Sequence, residues 1–199
     1  MSQTPLTSDV LDAAMQVINV LDSLAIPYVV GGSMASIVHG TVRATMDIDM
    51  VVDLTSDNVK PLIEGLRDAF YVDEAAVYRA IGQRSSFHLI HLDSMFKVDV
   101  FIPKIRAFDK QQLSRRIAIQ LSPESETIIW VLSPEDIMLA KLERYRMGNE
   151  TSEQQWLDIL GVARNQQSRL DAGYLKDSAA ALGVEDLLGE ALADAGADN

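Results

Sequence analysis

Eight consecutive residues, Asp47-Ile48-Asp49-Met50-Val51-Val52-Asp53-Leu54, alternate with period two. Asp47, Asp49, Val51 and Asp53 share one face, and Ile48, Met50, Val52 and Leu54 share the other. That pattern dictates a β-strand with one face in a core and a row of carboxylates on its opposite face. A second acid has a related setting, Asp99 in Lys97-Val98-Asp99-Val100-Phe101. A carboxylate in an apolar strand costs stability unless it is paired or metal-bound. Three such acids, Asp47, Asp49 and Asp99, ask for a cation.

The elements around these strands follow from periodicity. Apolar residues at helical spacing from Ser8 to Leu24 predict an amphipathic helix ended by Pro27. Ile26 to Val30 is a short buried strand that stops at Gly31-Gly32. Ser33 is placed to cap one or two helical turns over Met34 to Val38, closed by Gly40. Ser56 to Phe70 reads as a helix with Pro61 near its first turn. Ser86 to Leu92 and Phe96 to Ile102 read as a hairpin. After a polar, basic stretch, Ile117 to Leu121 and Thr127 to Val131 are short strands. Ser133-Pro134-Glu135-Asp136 combines a capping serine, proline in the first helical position and acid in the first turn, so it opens a helix to about Arg146. Helices near 151–165, 171–182 and 184–195 follow. The order predicts an α/β (α+β) fold, with a mixed-sheet core over 1–122 and a helical region over 123–199.

Composition excludes several classes. The chain has 199 residues, 48% of them hydrophobic, enough for a packed core and too many for a disordered tail. It has no cysteine, which removes disulfides, thiolate zinc sites and cysteine nucleophiles. Seventeen Lys and Arg stand against 29 Asp and Glu, a net charge of −12, which argues against general DNA binding. The opening residues 1–5 lack a basic region followed by an apolar run, and no apolar stretch is long enough to span a membrane, so a cytoplasmic protein is expected. Charge is uneven, however. Lys97, Lys104, Arg106, Lys110, Arg115 and Arg116 cluster in one segment, while the last third of the chain is acidic. The middle segment is the one able to face an anion.

Asp47 and Asp49 project from one strand face and suit a hard cation such as magnesium, which favours carboxylate oxygens and keeps water and phosphate in its other positions. Gly31 and Gly32 let backbone approach an oxyanion closely. The helix start beyond them offers free amide N–H groups, and the Ser33 hydroxyl can donate to phosphate. Neither piece is specific alone, but their order and spacing, with 13 residues between Ser33 and Asp47, point to a cleft where magnesium, phosphates and the strand acids meet.

Gly31-Gly32-Ser33, Asp47-Ile48-Asp49-Met50 and Val98-Asp99-Val100 together resemble the signature of the polymerase-β-type nucleotidyltransferase superfamily. More narrowly, Arg43-Ala44-Thr45-Met46-Asp47-Ile48-Asp49, Lys97-Val98-Asp99-Val100-Phe101 and the helix from Ser133 to Leu142 resemble bacterial AbiEii-type nucleotidyltransferases, some of which are toxins of abortive-infection and toxin–antitoxin systems. The resemblance implies transfer of a nucleoside monophosphate from a nucleoside triphosphate such as ATP to an acceptor hydroxyl on tRNA, a protein or a small molecule, with an antitoxin as a further partner. It implies a two-metal magnesium site on Asp47, Asp49 and Asp99, and phosphate contacts from Gly31, Gly32, Ser33, Arg43 and Lys141. The family's acidic partner of the lysine has no close match here, and Asp158 is the next acid able to take that place.

Rival chemistries lack their anchors. His88 and His91 are three apart in a strand and face opposite ways, which excludes a zinc pair, and His39 stands apart from both. There is no P-loop, no Gly-x-Gly-x-x-Gly and no Gly-x-Ser-x-Gly. The remaining alternative is a catalytically silent, nucleotide- or partner-binding member of the same fold.

Overall fold

The computed structural model describes residues 8–41, 47–120 and 127–197. Arg43, Leu121 and the opening residues 1–5 lie outside that set. Among the described residues seven strands form one mixed sheet, flanked by helices.

The chain enters through helix α1 (Ser8–Ser23), whose Val10, Ala14, Val17, Ile18 and Leu21 are buried, as the apolar spacing requires. Strand β1 (Tyr28–Val30) is buried throughout and runs through Gly31 into α2 (Gly32–Val38). Strand β2 (Asp47–Val52) buries Ile48, Met50 and Val52 and turns its acids the other way, as the alternation predicts. A short 3₁₀ turn at Ser56–Asn58 leads into α3 (Val59–Leu66). Strand β3 (Phe70–Val72), α4 (Glu74–Gln83), β4 (Ser86–His91) and β5 (Lys97–Phe101) come next. Helix α5 (Ala107–Ser114), β6 (Ile117–Gln120) and β7 (Ile128–Val131) complete the sheet, so one of its strands comes from beyond residue 122. Helices α6 (Pro134–Met147), α7 (Glu153–Gln166), α8 (Ala172–Leu182) and α9 (Glu185–Ala197) end the chain.

The strand order is β3-β4-β5-β2-β1-β7-β6. Strand β2 runs antiparallel to β1 and parallel to β5, and it lies in the middle of the sheet. The register opposes Asp49 to Asp99 and Asp47 to Lys97, so the lone strand acid is the direct lateral neighbour of the Asp pair. This pairing gathers carboxylates from sequence-distant strands along one strip of the sheet.

Three local expectations are corrected. Ser33 does not cap α2: Gly31 holds the cap position and Ser33 lies inside the helix, because the Gly31 carbonyl already accepts from the Ala35 amide. Phe70 does not end α3; it begins β3, where it is buried against the sheet. The sequence predicts no element over 71–85 or 103–116, and there Glu74–Gln83 forms α4 and Ala107–Ser114 forms α5.

Candidate active site

Site geometry begins with Gly31 and Gly32. The Gly31 amide donates to the Asp49 carbonyl at 2.8 Å, which ties the β1–α2 turn to the middle of β2. Gly32 has φ +55°, and a Cβ there would lie 1.7 Å from Asp49 Oδ2. Only glycine fits both the backbone conformation and that contact. The turn is thus built around the Asp49 carboxylate, and Ser33 follows it one residue into α2.

Asp49 is largely buried, with 19% of its side chain exposed. Burial, the main influence, pushes its carboxyl above the usual carboxylate range. Arg144 opposes this, Asp99 adds to it, and Lys141 and Asp47 act more weakly in opposite senses. The Arg144 guanidinium stands 3.9 Å from Asp49 Oδ2 and lies over the Phe101 ring. Asp47, at the start of β2, is exposed.

Asp99 is engaged on both oxygens. Lys97 Nζ lies 2.9 Å from Oδ2, and His88 Nδ1 meets Oδ1. The hydrogen bond to Asp99 holds the Lys97 ammonium above its ordinary pKa. His88 was not foreseen. The hairpin register pairs His88 with Asp99, so counting back from the turn supplies the signal. Arg144 was also missed, because nothing in a helix sequence says which arginine points at a sheet two elements away.

Lys141 and Asp158 are brought together. Lys141 Nζ bonds Asp158 Oδ2 at 2.8 Å with both side chains buried, and Gln154 Nε2 donates to the second oxygen. Helices α6 and α7 supply the two partners. Ser133 caps α6, its hydroxyl accepting from the Asp136 amide, so the cap predicted from the sequence is present.

Gly31, Gly32, Asp49, Phe101, Lys141 and Arg144 line part of a cleft of about 340 Å³. Among the described residues no three His, Asp or Glu side chains converge into a ready metal cage. The donor set still fits a hard divalent cation, which takes one or two protein carboxylates and completes its shell with water and substrate phosphate. Asp47 and Asp49 sit on one face and Asp99 beside them, partly buried and balanced by Lys97, His88 and Arg144.

Residues 8–176 match the model of a family described as nucleotidyltransferase of unknown function (DUF6036). The chain belongs to this nucleotidyltransferase family. Its fold is similar to that of an antigenic nucleotidyltransferase-like protein from Paracoccidioides brasiliensis, at 19% identity over 94% of each chain, with a TM-score of 0.55. It is similar also to the antibiotic-resistance factor ANT(2'')-Ia, at 16% identity over 90% of this chain and 94% of that one, with a TM-score of 0.53. At such identities the likeness is one of fold. No curated protein matches the chain in sequence. The mixed sheet with following helices is the nucleotidyltransferase-like architecture expected from the three strand acids. Among the described residues no helix is long and apolar enough to cross a membrane.

Proposed function

We propose that this nucleotidyltransferase uses magnesium to move a nucleoside monophosphate from a nucleoside triphosphate to an acceptor hydroxyl, at the strip formed by Asp47, Asp49 and Asp99. The observation that carries this reading is the β2–β5 register, which sets Asp49 opposite Asp99 beside a glycine turn moulded on Asp49. Magnesium held by Asp47, Asp49 and Asp99 would supply charge neutralisation of the triphosphate. The Gly31–Ser33 turn would receive the β- and γ-phosphates on backbone N–H groups and the Ser33 hydroxyl. Lys141, fixed by Asp158, and Arg144 would place positive charge on the cleft wall where the pyrophosphate leaves. In the transfer, the acceptor oxygen bonds to the α-phosphorus, the bond from that phosphorus to the bridging oxygen breaks, and the electron pair departs with pyrophosphate. Asp99 would complete the magnesium site and so help to lower the pKa of the acceptor hydroxyl. Arg43 belongs to this proposal through the sequence motif alone.

The narrower AbiEii-type likeness, a toxin role, an antitoxin partner and cytoplasmic residence form the outer part of the same proposal. They are supported by the motifs around Asp47, Asp99 and Ser133.

The test offers α-labelled ATP, CTP, GTP and UTP with magnesium to the protein, together with bulk tRNA, purified proteins and aminoglycosides. Label is expected on one acceptor class in a metal-dependent manner. Nucleotide binding without transfer to any acceptor would instead identify the silent member of the fold. Arrested growth on expression, relieved by Asp47→Asn, is the expected outcome for a toxin; unimpaired growth contradicts that role.

A further inference from the structure

The six basic residues between Lys97 and Arg116 do not act as one patch. Lys97 is paired with Asp99, Arg106 with Asp109 and Glu143, and Arg115 with Glu135 and Asp136. The other three, Lys104, Lys110 and Arg116, make no ion pair within 4 Å among the described residues, and they gather around a single groove. Arg84, from the left-handed end of α4, joins them there. The groove has a volume of about 750 Å³ and carries one acid on its lining, Asp53; Asp22 acts on Arg116 from α1. Four cations against so few acids is a concentrated positive surface in a chain of net charge −12.

Two further features define what the groove suits. First, its cations come from four separate segments: the end of α4, the loop after β5, helix α5 and the start of β6. Dispersed charges of this kind suit a run of phosphates better than one anion, which needs donors converging on a point. Second, Trp130 lines the groove with the Arg116 guanidinium 4.7 Å from its ring centroid. The guanidinium lies over that ring, and an arginine plane backed by an aromatic ring is itself a surface on which an unpaired base stacks. The groove is also continuous with the candidate active cleft, since Arg84, Pro103 and Lys104 line both.

We infer that this groove holds the phosphodiester strand of a nucleic-acid acceptor and leads its hydroxyl into the cleft at Asp49 and Asp99. The inference rests on the transferase reading above and assigns its acceptor class.

Fluorescence anisotropy of short single-stranded RNA and DNA oligonucleotides, titrated with the full chain at several salt concentrations, tests it. Neutralising about four phosphates on a single strand gives a slope of log affinity against log salt near −2.8, so binding should weaken about 50-fold between 50 and 200 mM salt. Lys110 lines the groove but not the cleft and is exposed, so Lys110→Glu should weaken binding at least about fivefold and flatten the slope by about 0.7 or more. Binding of labelled nucleoside triphosphate should be unchanged in that variant. RNA and DNA arms identify which strand is preferred. Absence of oligonucleotide binding at 50 mM salt, or equal binding by wild type and a folded Lys110→Glu, overturns the inference, as does transfer of label only to a small molecule or a protein. Should Lys110→Glu fail to fold, the wild-type slope decides alone: a slope near zero overturns it. Failure of triphosphate binding in wild type would instead strike the transferase reading.

Discussion

At the scale of single residues, the Asp49 carboxylate is confined by its neighbours. Gly32 leaves it room, Arg144 faces it, and the Gly31 amide fixes its backbone. Gly32→Ala would place a methyl 1.7 Å from Asp49 Oδ2 and force a side chain into a left-handed conformation. The substitution should cost about 1–3 kcal/mol of stability and, by displacing Asp49, about 10²-fold in transfer rate. Thermal melts and steady-state kinetics on the same preparation read both. The Lys141–Asp158 pair behaves differently, because it is buried and each partner depends on the other. Asp158→Asn should lower stability by about 3–5 kcal/mol in urea denaturation, since it strips Lys141 of its counter-charge. The double variant Lys141→Met/Asp158→Leu should recover much of that stability without recovering transfer. Restoration of both would reduce the pair to a structural bond and remove Lys141 from the phosphate site.

At the scale of elements, the site depends on how α2 is tethered. His39 at the end of α2 is buried and bonded through Nε2 to the Leu132 carbonyl at 2.7 Å, and Gln166 donates to the His39 carbonyl. Burial holds its imidazole below the ordinary value of 6.5. The unfolded chain therefore takes up a proton that the folded chain resists, and the stability contributed by neutral His39 is complete above that value and lost as pH falls through it. Melting temperature should decline between pH 7.5 and 5.5, and the gap between wild type and His39→Gln should narrow over that range. A gap that stays constant contradicts the assignment. Helix α1 and strand β2 were legible from a clean periodic stripe, the β4–β5 hairpin from its two apolar runs, and α6 from its Ser133 cap, Pro134 and first-turn acids. Of the elements that escaped, α4 does bury one face through Val77 and Ala80, while the others have no such stripe. Strand β3 has three residues, and α5 is mostly polar, anchored by Phe108 and Gln112. The acids of the site were legible because a carboxylate in an apolar strand is conspicuous. The cations that meet them were not, because Arg144 and His88 reach Asp49 and Asp99 only through the packing of α6 and the register of β4.

At the scale of the whole molecule, the net charge of −12 is arranged rather than spread. Asp49 lines one cleft with Asp99 beside it in the sheet, a basic groove adjoins that cleft, and the last four helices hold much of the remaining acidity. Helices α6 to α9 also brace the cleft wall. Asp136, fully buried at the start of α6, accepts from the Tyr174 hydroxyl of α8 at 2.6 Å, and Arg115 lies over the Tyr174 ring. That network ties the helices to the segment before β6 and so braces the α6 side of the cleft, away from the Gly31–Gly32 turn. Tyr174→Phe, which leaves Asp136 without that donor, should cost about 1–3 kcal/mol in chemical denaturation while leaving triphosphate binding intact.

The central claim is that the strip of Asp47, Asp49 and Asp99 performs metal-dependent nucleotidyl transfer. The most direct measurement compares pyrophosphate release from a nucleoside triphosphate by wild type and Asp49→Asn, with the acceptor present, with and without magnesium. The account predicts release that requires the metal and falls at least about 10³-fold in a variant whose circular dichroism is unchanged. Release that proceeds equally in Asp49→Asn, or equally without divalent metal, would contradict it.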